Sequence, residues 1–399
     1  MIRIKNLNKN FGSKIIFDDI NFSIFDKEKI VLIGANGLGK TTFLNLLLGD
    51  DKNYSGSIEY STDIKIACIP QDFENVKMSL FDYVISNFKQ KDQIISLRQL
   101  ENQIHNNPEN KKLLDKYSNE LSIFEKNGGY DFIYEVKKVL EGLGFKEEKD
   151  FNRLIESFSG GEKKRALLSY VLIQKPDLLV LDEPTNHLDI KNTIFLENFL
   201  KQYSKAFLVI SHDREFMNNI STHILEVENK KMIKHKGNLT SYFQSKEMKK
   251  KVIEKEYKQL KKEHDDLFEF VSRFKKGTRA SQALSKEKRL NVIAEKLSNY
   301  KNIVENYEIR FKEIQREKSY EIPLKIKDLS KSFESKNLFE KVNLSIERND
   351  KVALLGINGS GKSTFFKILI DQEKPDNGEI LWNNHVQIGY FSQDPTELK

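Results

Sequence analysis

One phrase occurs twice in this chain of 399 residues, and each occurrence lies at the same place in a longer duplicated segment. GANGLGKTTFLNLL begins at Gly34, and GINGSGKSTFFKIL begins at Gly356, 322 positions later. The same offset aligns Leu7 with Leu329 and needs no gap. Because a repeat of this kind reflects a repeated structural unit, the second segment is predicted to fold like the opening part of the first.

Each copy is predicted to open with short β-strands and then a glycine-rich turn that begins a helix. In the first copy the strands are IRIKNL, FDDINFSIF and EKIVLIG, and the helix is KTTFLNLLLG. The strands alternate apolar and polar residues or are continuously apolar, whereas the last segment carries apolar residues at helical spacing. This order predicts an α/β fold, with a strand before the turn in both copies.

Both turns match the pattern G-x-x-x-x-G-K-[ST], from Gly34 to Thr41 and from Gly356 to Ser363. Glycines let successive backbone N–H groups point inward, and the helix N-terminus adds its dipole, so this loop surrounds a phosphate group. The lysine neutralises the β- and γ-phosphate oxygens of a nucleotide, and the Ser or Thr hydroxyl binds Mg²⁺. The predicted contacts of the two loops are Gly34, Asn36, Gly37, Gly39, Lys40, Thr41 and Thr42, and Gly356, Asn358, Gly359, Gly361, Lys362, Ser363 and Thr364.

A second motif supplies the carboxylates that nucleotide hydrolysis needs. LLVLDEP at 178–184 predicts a buried strand that ends in Asp182 and Glu183. Asp182 is predicted to hold Mg²⁺ through water, and Glu183 to orient the attacking water as a general base. SGGEKKR lies upstream of this strand, and TNHLD and then His212 lie downstream. This succession of motifs predicts one hydrolytic site rather than a solvated strand end.

These motifs, in this order and spacing, resemble those of the ATP-binding-cassette (ABC) ATPases. The resemblance implies a P-loop NTPase cassette fold that uses ATP and Mg²⁺. It also implies that FSGGE at 158–162 is the signature sequence, in which Phe158 replaces the more usual leucine. Phe11 would then stack on adenine, and His212 would be the switch histidine. The implied catalytic residues are Lys40, Gln71, Glu183 and His212, the implied metal ligands are Thr41, Gln71, Asp182, Ser363 and Gln393, and the further nucleotide contacts are Phe11, Ser159, Gly160, Gly161, Phe333 and Gln393.

The chain is predicted to contain two cassettes joined by a linker. The first cassette spans 1–241 with a helical insert at 88–145, the linker spans 242–318, and the incomplete second cassette spans 319–399. Two cassettes on one chain, together with EPTNHLD, resemble the F subfamily, whose members are soluble and act on the ribosome. The insert is similar to the arm of that subfamily, and the ordinary helical subdomain of a cassette stays open as an alternative.

The linker carries two heptad stripes. Apolar residues at alternating steps of four and three run from Ile253 to Phe274 and again from Leu290 to Ile314. The stripes lie on either side of Gly277, where a helix is expected to break. A long α-helical hairpin whose two seams face each other is therefore predicted.

The basic charge of the chain lies in this linker. Residues 242–318 carry a net charge of +8, whereas the rest of the chain carries −1. Within 271–290 seven basic residues accompany the single acid Glu287, which favours contact with RNA phosphates over an ordinary solvated face of mixed charge. The predicted RNA contacts are Arg273, Lys275, Lys276, Arg279, Lys286, Lys288 and Arg289. By resemblance, this hairpin meets ribosomal RNA and transfer RNA.

The remaining composition bears on the compartment. A single cysteine, Cys68, excludes an intrachain disulfide, the N-terminus lacks the apolar core of a signal peptide, and the apolar runs are too short to span a membrane. We therefore expect a cytoplasmic protein without an integral membrane segment. Two alternatives remain open: the ATPase subunit of a membrane transporter, and an RNA-binding scaffold that does not hydrolyse ATP.

The resemblance also implies that two cassettes pair head to tail, so that each ATP lies between the P-loop of one and the signature of the other. The second copy has its P-loop but no signature before Lys399. We expect the chain to be a shortened form of a longer two-cassette protein that binds ATP and, as a monomer, hydrolyses it poorly. A homodimer formed through the first cassette is the alternative route to a complete site.

Overall fold

The structure is a computed structural model that describes residues 1–69, 77–88, 90–274, 280–304, 322–333, 336–357, 359–383 and 386–391. In chain order the strands are β1 Ile2–Phe11, β2 Lys14–Ile24, β3 Lys29–Ile33, β4 Ser55–Tyr60, β5 Ile66–Cys68, β6 Leu178–Asp182, β7 Ala206–Ile210, β8 His223–Glu228, β9 Lys231–Lys236, β10 Leu324–Phe333, β11 Lys336–Ile346 and β12 Asn377–Trp382. The α-helices are α1 Lys40–Leu48, α2 Leu80–Val84, α3 Lys91–Asn106, α4 Lys111–Lys126, α5 Gly129–Gly142, α6 Glu147–Asp150, α7 Gly160–Ile173, α8 Ile190–Gln202, α9 Arg214–Ile220, α10 Leu239–Phe274, α11 Ala280–Val304 and α12 Lys362–Leu369.

The first copy contains two sheets that together position the predicted site. Strands β2, β1 and β4 form an antiparallel sheet, and a larger sheet has the order β5-β6-β7-β3-β8-β9. Strands β6, β7 and β3 are parallel neighbours with apolar runs such as LLVL and AFLVI, which are buried on both faces of the sheet. The carboxyl ends of parallel neighbours lie at one edge, so the residues that follow these three strands are brought together.

The predicted insert is helical over most of its length. Helices α3, α4 and α5 occupy 91–142, and Leu97 and Leu100 of α3 are buried. Phe124 near the end of α4 joins the same core as α5 and α7. These contacts support a packed helical unit within the cassette, and the arm assignment stays a prediction.

The second copy repeats the first strand for strand at its start. Strand β10 pairs with β11 and β12 as β1 pairs with β2 and β4, and the pairing of Leu329 with Val342 matches that of Leu7 with Ile20. The strand predicted immediately before the second glycine turn is wrong, because residues 351–357 form no strand. In the first copy the equivalent β3 lies between β7 and β8, and residues 351–357 have no such neighbours in the described part of the chain.

The linker contains the two predicted helices. Helix α10 has 36 residues, and α11 begins at Ala280, ten residues before the predicted apolar stripe. Val271 and Ile293 are buried in the predicted seam, and Tyr300 donates a hydrogen bond to Glu256 across it at 3.2 Å. The predicted break and the end of the second stripe, at 277 and 305–314, lie outside the described residues. None of the helices formed by the described residues combines the length and apolar character needed to cross a bilayer.

A buried carboxylate attaches the start of α10 to the first cassette. Glu226 on β8 accepts a hydrogen bond from the Tyr242 hydroxyl and pairs with Lys246, both of which lie in the first turns of α10. Burial and the bond to Glu226 raise the pKa of Tyr242 to about 12. The next residue, Val227, lies directly beside Gly34 of the first glycine loop. The linker helix is thereby connected to the loop through two adjacent residues of one strand.

Candidate active site

A cleft of about 590 Å³ lies where the predicted site residues of the first copy meet. It collects residues from the end of β1, the first glycine loop, the end of β6 and the residues after β7, which are up to two hundred positions apart in the chain. Its lining comprises Phe11, Lys14, Ile16, Asn36, Gly37, Gly39, Lys40, Thr41, Thr42, Asp182, Glu183, Ile210 and His212. Gly34 begins the loop at the end of β3 and is not part of this lining.

The first glycine loop is closed around its own lysine. Lys40 Nζ donates to the carbonyl oxygen of Gly34 at 2.7 Å and to that of Ala35 at 3.3 Å. Gly39, immediately before α1, has a φ of 97°, which an L side chain rarely adopts. These features hold the ammonium group at the N-terminal end of α1, where the helix dipole and backbone N–H groups favour a bound phosphate.

Asp182 and Glu183 lie at the carboxyl end of β6. Asp182 is exposed and lines the cleft. Partial desolvation raises the pKa of its carboxyl group, and the charges of Lys40 and His212 oppose this shift. Within the described part of the chain this carboxylate accepts no hydrogen bond. It is therefore available to a ligand in the cleft.

Glu183 is held in an unusual backbone conformation, with a φ of 48°. Its N–H donates to the Ile210 carbonyl oxygen at 2.9 Å, and its Oε2 accepts from the His212 N–H at 3.3 Å. His212 Nε2 is 3.4 Å from Oε1 without hydrogen-bond geometry, so this buried oxygen accepts no hydrogen bond from the described residues. Burial raises the pKa of the Glu183 carboxyl group, opposed chiefly by His212. Strain of this kind, with an unsatisfied oxygen, is typical of functional positions.

The oxygen donors of the cleft fit Mg²⁺ better than a transition metal. No group of three or more His, Cys, Asp or Glu side chains is arranged to hold a metal in the described ranges. The cleft offers the Thr41 hydroxyl and the exposed Asp182 carboxylate instead. Magnesium is commonly held by one or two such oxygens together with phosphate and water, so the residues fit this ion.

The signature residues lie outside this cleft, although Gly160 lines a neighbouring cavity together with Asp182 and Glu183. Ser159 caps α7 by accepting from the Glu162 N–H, and the Glu162 carboxylate accepts from the Ser159 N–H at 2.7 Å. Ser159 and Gly160 are exposed, and neither they nor Gly161 line the cleft. Phe158, which replaces the more usual leucine of the signature, is buried in the core. Its ring stacks on that of Phe145 with the ring centroids 5.6 Å apart.

In the second copy Lys362 makes the hydrogen bonds that Lys40 makes in the first. Its Nζ donates to the carbonyl oxygens of Gly356 at 2.8 Å and Ile357 at 2.9 Å. Gly361 precedes α12 with a φ of 92°, Gly359 has a φ of 74°, and Ser363 and Thr364 lie in the first turn of α12. Phe333 ends β10 as Phe11 ends β1. The predicted contacts Gln71, Asn358 and Gln393 lie outside the described residues.

Several residues near the cleft were not predicted from the sequence. Lys14 and Ile16 line it from β2, and Lys9 lies beneath the ring of Phe11. The duplication could have indicated Lys9, because Lys331 lies two residues before Phe333 just as Lys9 lies two residues before Phe11. A lysine in a half-buried strand is ordinarily taken as a solvated residue, so its spacing alone did not indicate a site.

The described basic residues near the hairpin tip are partly paired. Arg273 forms an ion pair with Glu269 at 2.8 Å, and Arg289 pairs with Glu263 of the facing helix. Both glutamates lie outside 271–290, so the count of a single acid there underestimates the local negative charge. Lys288 is exposed, and Lys286 Nζ is 3.6 Å from the centroid of the Phe270 ring. Lys275, Lys276 and Arg279 lie outside the described residues.

Comparison with known proteins identifies the family. A family model described as "ABC transporter" matches residues 17–186 and 339–398, and a second model with the same description matches residues 225–319. ABC transporter F family member 5 from Arabidopsis thaliana is 32% identical over 100% of this chain and 58% of its own length. An uncharacterized ABC transporter ATP-binding protein, YfmM from Bacillus subtilis (strain 168), is 30% identical over 100% of this chain and 76% of its own length. The chain belongs to the ABC-F family.

The family assignment confirms the fold predicted from the motifs, a P-loop ABC cassette with mixed α-helices and β-strands. ABC transporter F family member 2 from Arabidopsis thaliana is a further relative, 33% identical over 100% of this chain and 60% of its own length. The chain thus spans about three fifths of the length of the two Arabidopsis ABC-F relatives. The second family model covers α10, α11 and the strands before them, so the linker belongs to the shared sequence.

Proposed function

We propose that this chain binds and hydrolyses ATP in the cleft of the first cassette, and that its basic helical hairpin engages ribosomal and transfer RNA. The observation that supports the ATPase activity best is the convergence in one cleft of the glycine loop, Asp182, Glu183 and His212. These residues come from separate parts of the chain and supply phosphate binding, carboxylates and a histidine at the same edge of the sheet.

Binding begins at the glycine loop. Backbone N–H groups between Asn36 and Thr41 surround the β-phosphate, and the N-terminus of α1 adds its positive dipole. The Lys40 ammonium group exchanges the carbonyl oxygens of Gly34 and Ala35 for β- and γ-phosphate oxygens. The exposed ring of Phe11 stacks on the adenine base at the other end of the cleft.

Cleavage uses the unsatisfied oxygen of Glu183. Glu183 lines the cleft, and its Oε2 accepts from the His212 N–H; its Oε1, which is buried and accepts no hydrogen bond from the described residues, is the proposed acceptor for the hydrogen of an attacking water. His212 lies 3.4 Å from that oxygen and is placed to sense the γ-phosphate and the position of the carboxylate. Thr41 and Asp182 would hold Mg²⁺, which supplies charge neutralisation to the phosphate oxygens.

The signature residues serve a second nucleotide-binding face. Ser159 and Gly160 are exposed on the surface of the cassette and lie outside the cleft, so they are accessible to the glycine loop of another cassette. Two chains that pair through their first cassettes would complete two such sites. ATP then stabilises the closed pair, and loss of the γ-phosphate contacts releases it.

Phosphate release measured against chain concentration tests this proposal. The rate per chain is expected to rise with concentration, because each cleft needs Ser159 and Gly160 from another chain. Lys40→Met should abolish release, whereas Lys52→Met, at an exposed lysine after α1, should match the parent. A rate per chain that is constant across concentrations would contradict pairing through the first cassette, and an absence of ATP binding would contradict the nucleotide role itself.

RNA contact is supported by the charge and shape of the linker. Helix α10 extends about 54 Å at 1.5 Å per residue, enough to carry its end well away from the cassette. The exposed Lys288 lies on α11, and the basic cluster predicted at 275–279 lies between α10 and α11 in the sequence, where small residues such as those in GTRAS permit close approach to a phosphate backbone. Because ribosomes are the proposed partner, we also propose that the protein is cytoplasmic.

Ribosome pelleting over a range of salt concentrations tests the RNA contact. Replacement of four tip residues by glutamine is expected to lower the salt slope of binding by about 3, since each lost phosphate contact removes roughly 0.7–0.9 of slope. The tip set is Lys275, Lys276, Arg279 and Lys288, and the matched control set in the mixed-charge part of α10 is Lys249, Lys251, Lys255 and Lys258. If the two sets of variants have the same salt slope of ribosome binding, the tip residues do not contact RNA. Pelleting with detergent-washed membranes instead of ribosomes would favour a transporter subunit.

A further inference from the structure

A buried ammonium group lies beneath the aromatic ring at the end of β1. Lys9 has 1% of its side chain exposed, and its Nζ donates to the Asn53 carbonyl oxygen at 2.6 Å and pairs with Asp51 at 2.6 Å. The hydrogen bond from Lys9 lowers the pKa of the Asp51 carboxyl group. The Lys9 Nζ is 4.7 Å from the centroid of the Phe11 ring, within the range of a cation–π interaction.

The second copy repeats this arrangement at equivalent positions. Lys331 Nζ is 4.8 Å from the centroid of the Phe333 ring, and 9% of its side chain is exposed. It pairs with Glu373 at 2.8 Å and donates to the Lys374 carbonyl oxygen at 2.7 Å. Asp51 and Glu373 lie 322 positions apart and are equivalent in the duplication, so a carboxylate at the same position holds the ammonium group in both copies, and the distance from ammonium to ring is also retained.

The other face of each ring is open. Phe11 is 53% exposed and Phe333 is 46% exposed, although both are large apolar side chains. Phe11 lines the cleft that contains the first glycine loop. Each ring therefore has an ammonium group on one face and solvent on the other, which leaves one face free for a planar base.

We propose that Lys9 and Lys331 are positioning residues that fix the aromatic rings on which the nucleotide base stacks. This inference rests on the proposed ATP-binding function and adds a source of base affinity to it. About half of each side chain is exposed, and the buried ammonium group is the contact to which we assign the orientation of the ring. The cation also draws electron density from the ring, which favours stacking against an electron-rich purine.

The first cassette offers a matched control for this lysine. Lys234 is also largely buried, pairs with Glu28 and lies 5.1 Å from the centroid of the Phe25 ring. Neither Lys234 nor Phe25 lines the cleft. Lys234→Met therefore removes a buried charge and a ring contact of the same kind without touching the base platform.

Calorimetric titrations with ATP and with inorganic triphosphate, which has no base, test the inference. They use the full chain in a Lys362→Met background, which removes the phosphate contact of the second loop. Lys9→Met is expected to weaken ATP binding about 3–10-fold, on the scale of a partly buried cation–π contact, and to leave triphosphate binding within about twofold. Lys9→Gln retains a hydrogen-bond donor without the charge and is expected to show the same base-dependent loss if Lys9→Met fails to fold. Lys234→Met should change neither affinity.

A double-mutant cycle with Phe11→Ala distinguishes a failure of the Lys9 inference from a failure of the proposed contact between Phe11 and the base. If Lys9 acts through the ring, Lys9→Met should cause no further loss of ATP affinity once Phe11 is alanine. An equal loss of ATP and triphosphate affinity, or an undiminished loss in the Phe11→Ala chain, would assign Lys9 a purely structural role and overturn the inference. Unchanged ATP affinity in Phe11→Ala alone would instead overturn the proposed base contact.

Discussion

Replacing Glu183 with glutamine is expected to slow ATP cleavage about 10²–10⁴-fold, the usual contribution of a general base, and to leave ATP affinity within about threefold. The amide keeps the volume and one acceptor oxygen, so the hydrogen bond from the His212 N–H to this side chain can persist. What is lost is the basic carboxylate, whose buried Oε1 accepts no hydrogen bond from the described residues. Affinity should change little because the phosphate contacts come from the glycine loop and Lys40.

Single-turnover phosphate release and equilibrium ATP binding, measured on the same preparations, distinguish the two effects. Glu215→Gln is the control, because Glu215 lies in the first turn of α9 close to His212 in sequence but lines no part of the cleft. Parent and Glu183→Gln chains that release phosphate at the same rate would show that another group activates the water. A large loss of ATP affinity would place Glu183 in binding rather than cleavage.

Much of the first-copy site could be predicted because its chemistry is carried by short motifs. A glycine loop between a strand and a helix specifies its own backbone geometry, and Gly39 and Lys40 occupy the positions that the pattern predicts. The two acids after LLVL were also predictable, since parallel neighbouring strands bring their carboxyl ends to one edge. These inferences need only local sequence and the general geometry of a parallel sheet.

The errors arise where structure depends on partners distant in sequence. Residues 351–357 have the same apolar pattern as β3 but form no strand, because a central strand exists only through hydrogen bonds to its neighbours. Arg273 and Arg289 appeared unopposed in a sequence window, yet helix spacing and the facing helix supply Glu269 and Glu263. The burial of Lys9 likewise depends on Asp51, which lies beyond α1.

The second large effect concerns two glycines of one loop that differ only in their surroundings. Gly37 has a φ of 79° and Gly39 a φ of 97°, so alanine at either position adopts a backbone conformation that costs about 1–2 kcal/mol. A Cβ at Gly37 would meet nothing within 4 Å, whereas a Cβ at Gly39 would lie 2.5 Å from Ile16 Cγ2. Overpacking adds about 1–3 kcal/mol, so Gly39→Ala should destabilise the first cassette by about 2–5 kcal/mol, and Gly37→Ala by about 1–2.

Urea unfolding followed by two probes tests this difference within one molecule. The only tryptophan, Trp382, lies on β12 and donates its indole N–H to the Leu369 carbonyl oxygen, so its fluorescence reports on the second copy. Circular dichroism is dominated by the first cassette and the linker helices. Gly39→Ala should lower the urea midpoint of the circular dichroism signal well below that of Gly37→Ala while both retain the parent fluorescence transition. Equal midpoints for the two variants would mean that Ile16 moves aside without cost, and the contact between β2 and the glycine loop would then not determine the shape of the phosphate site.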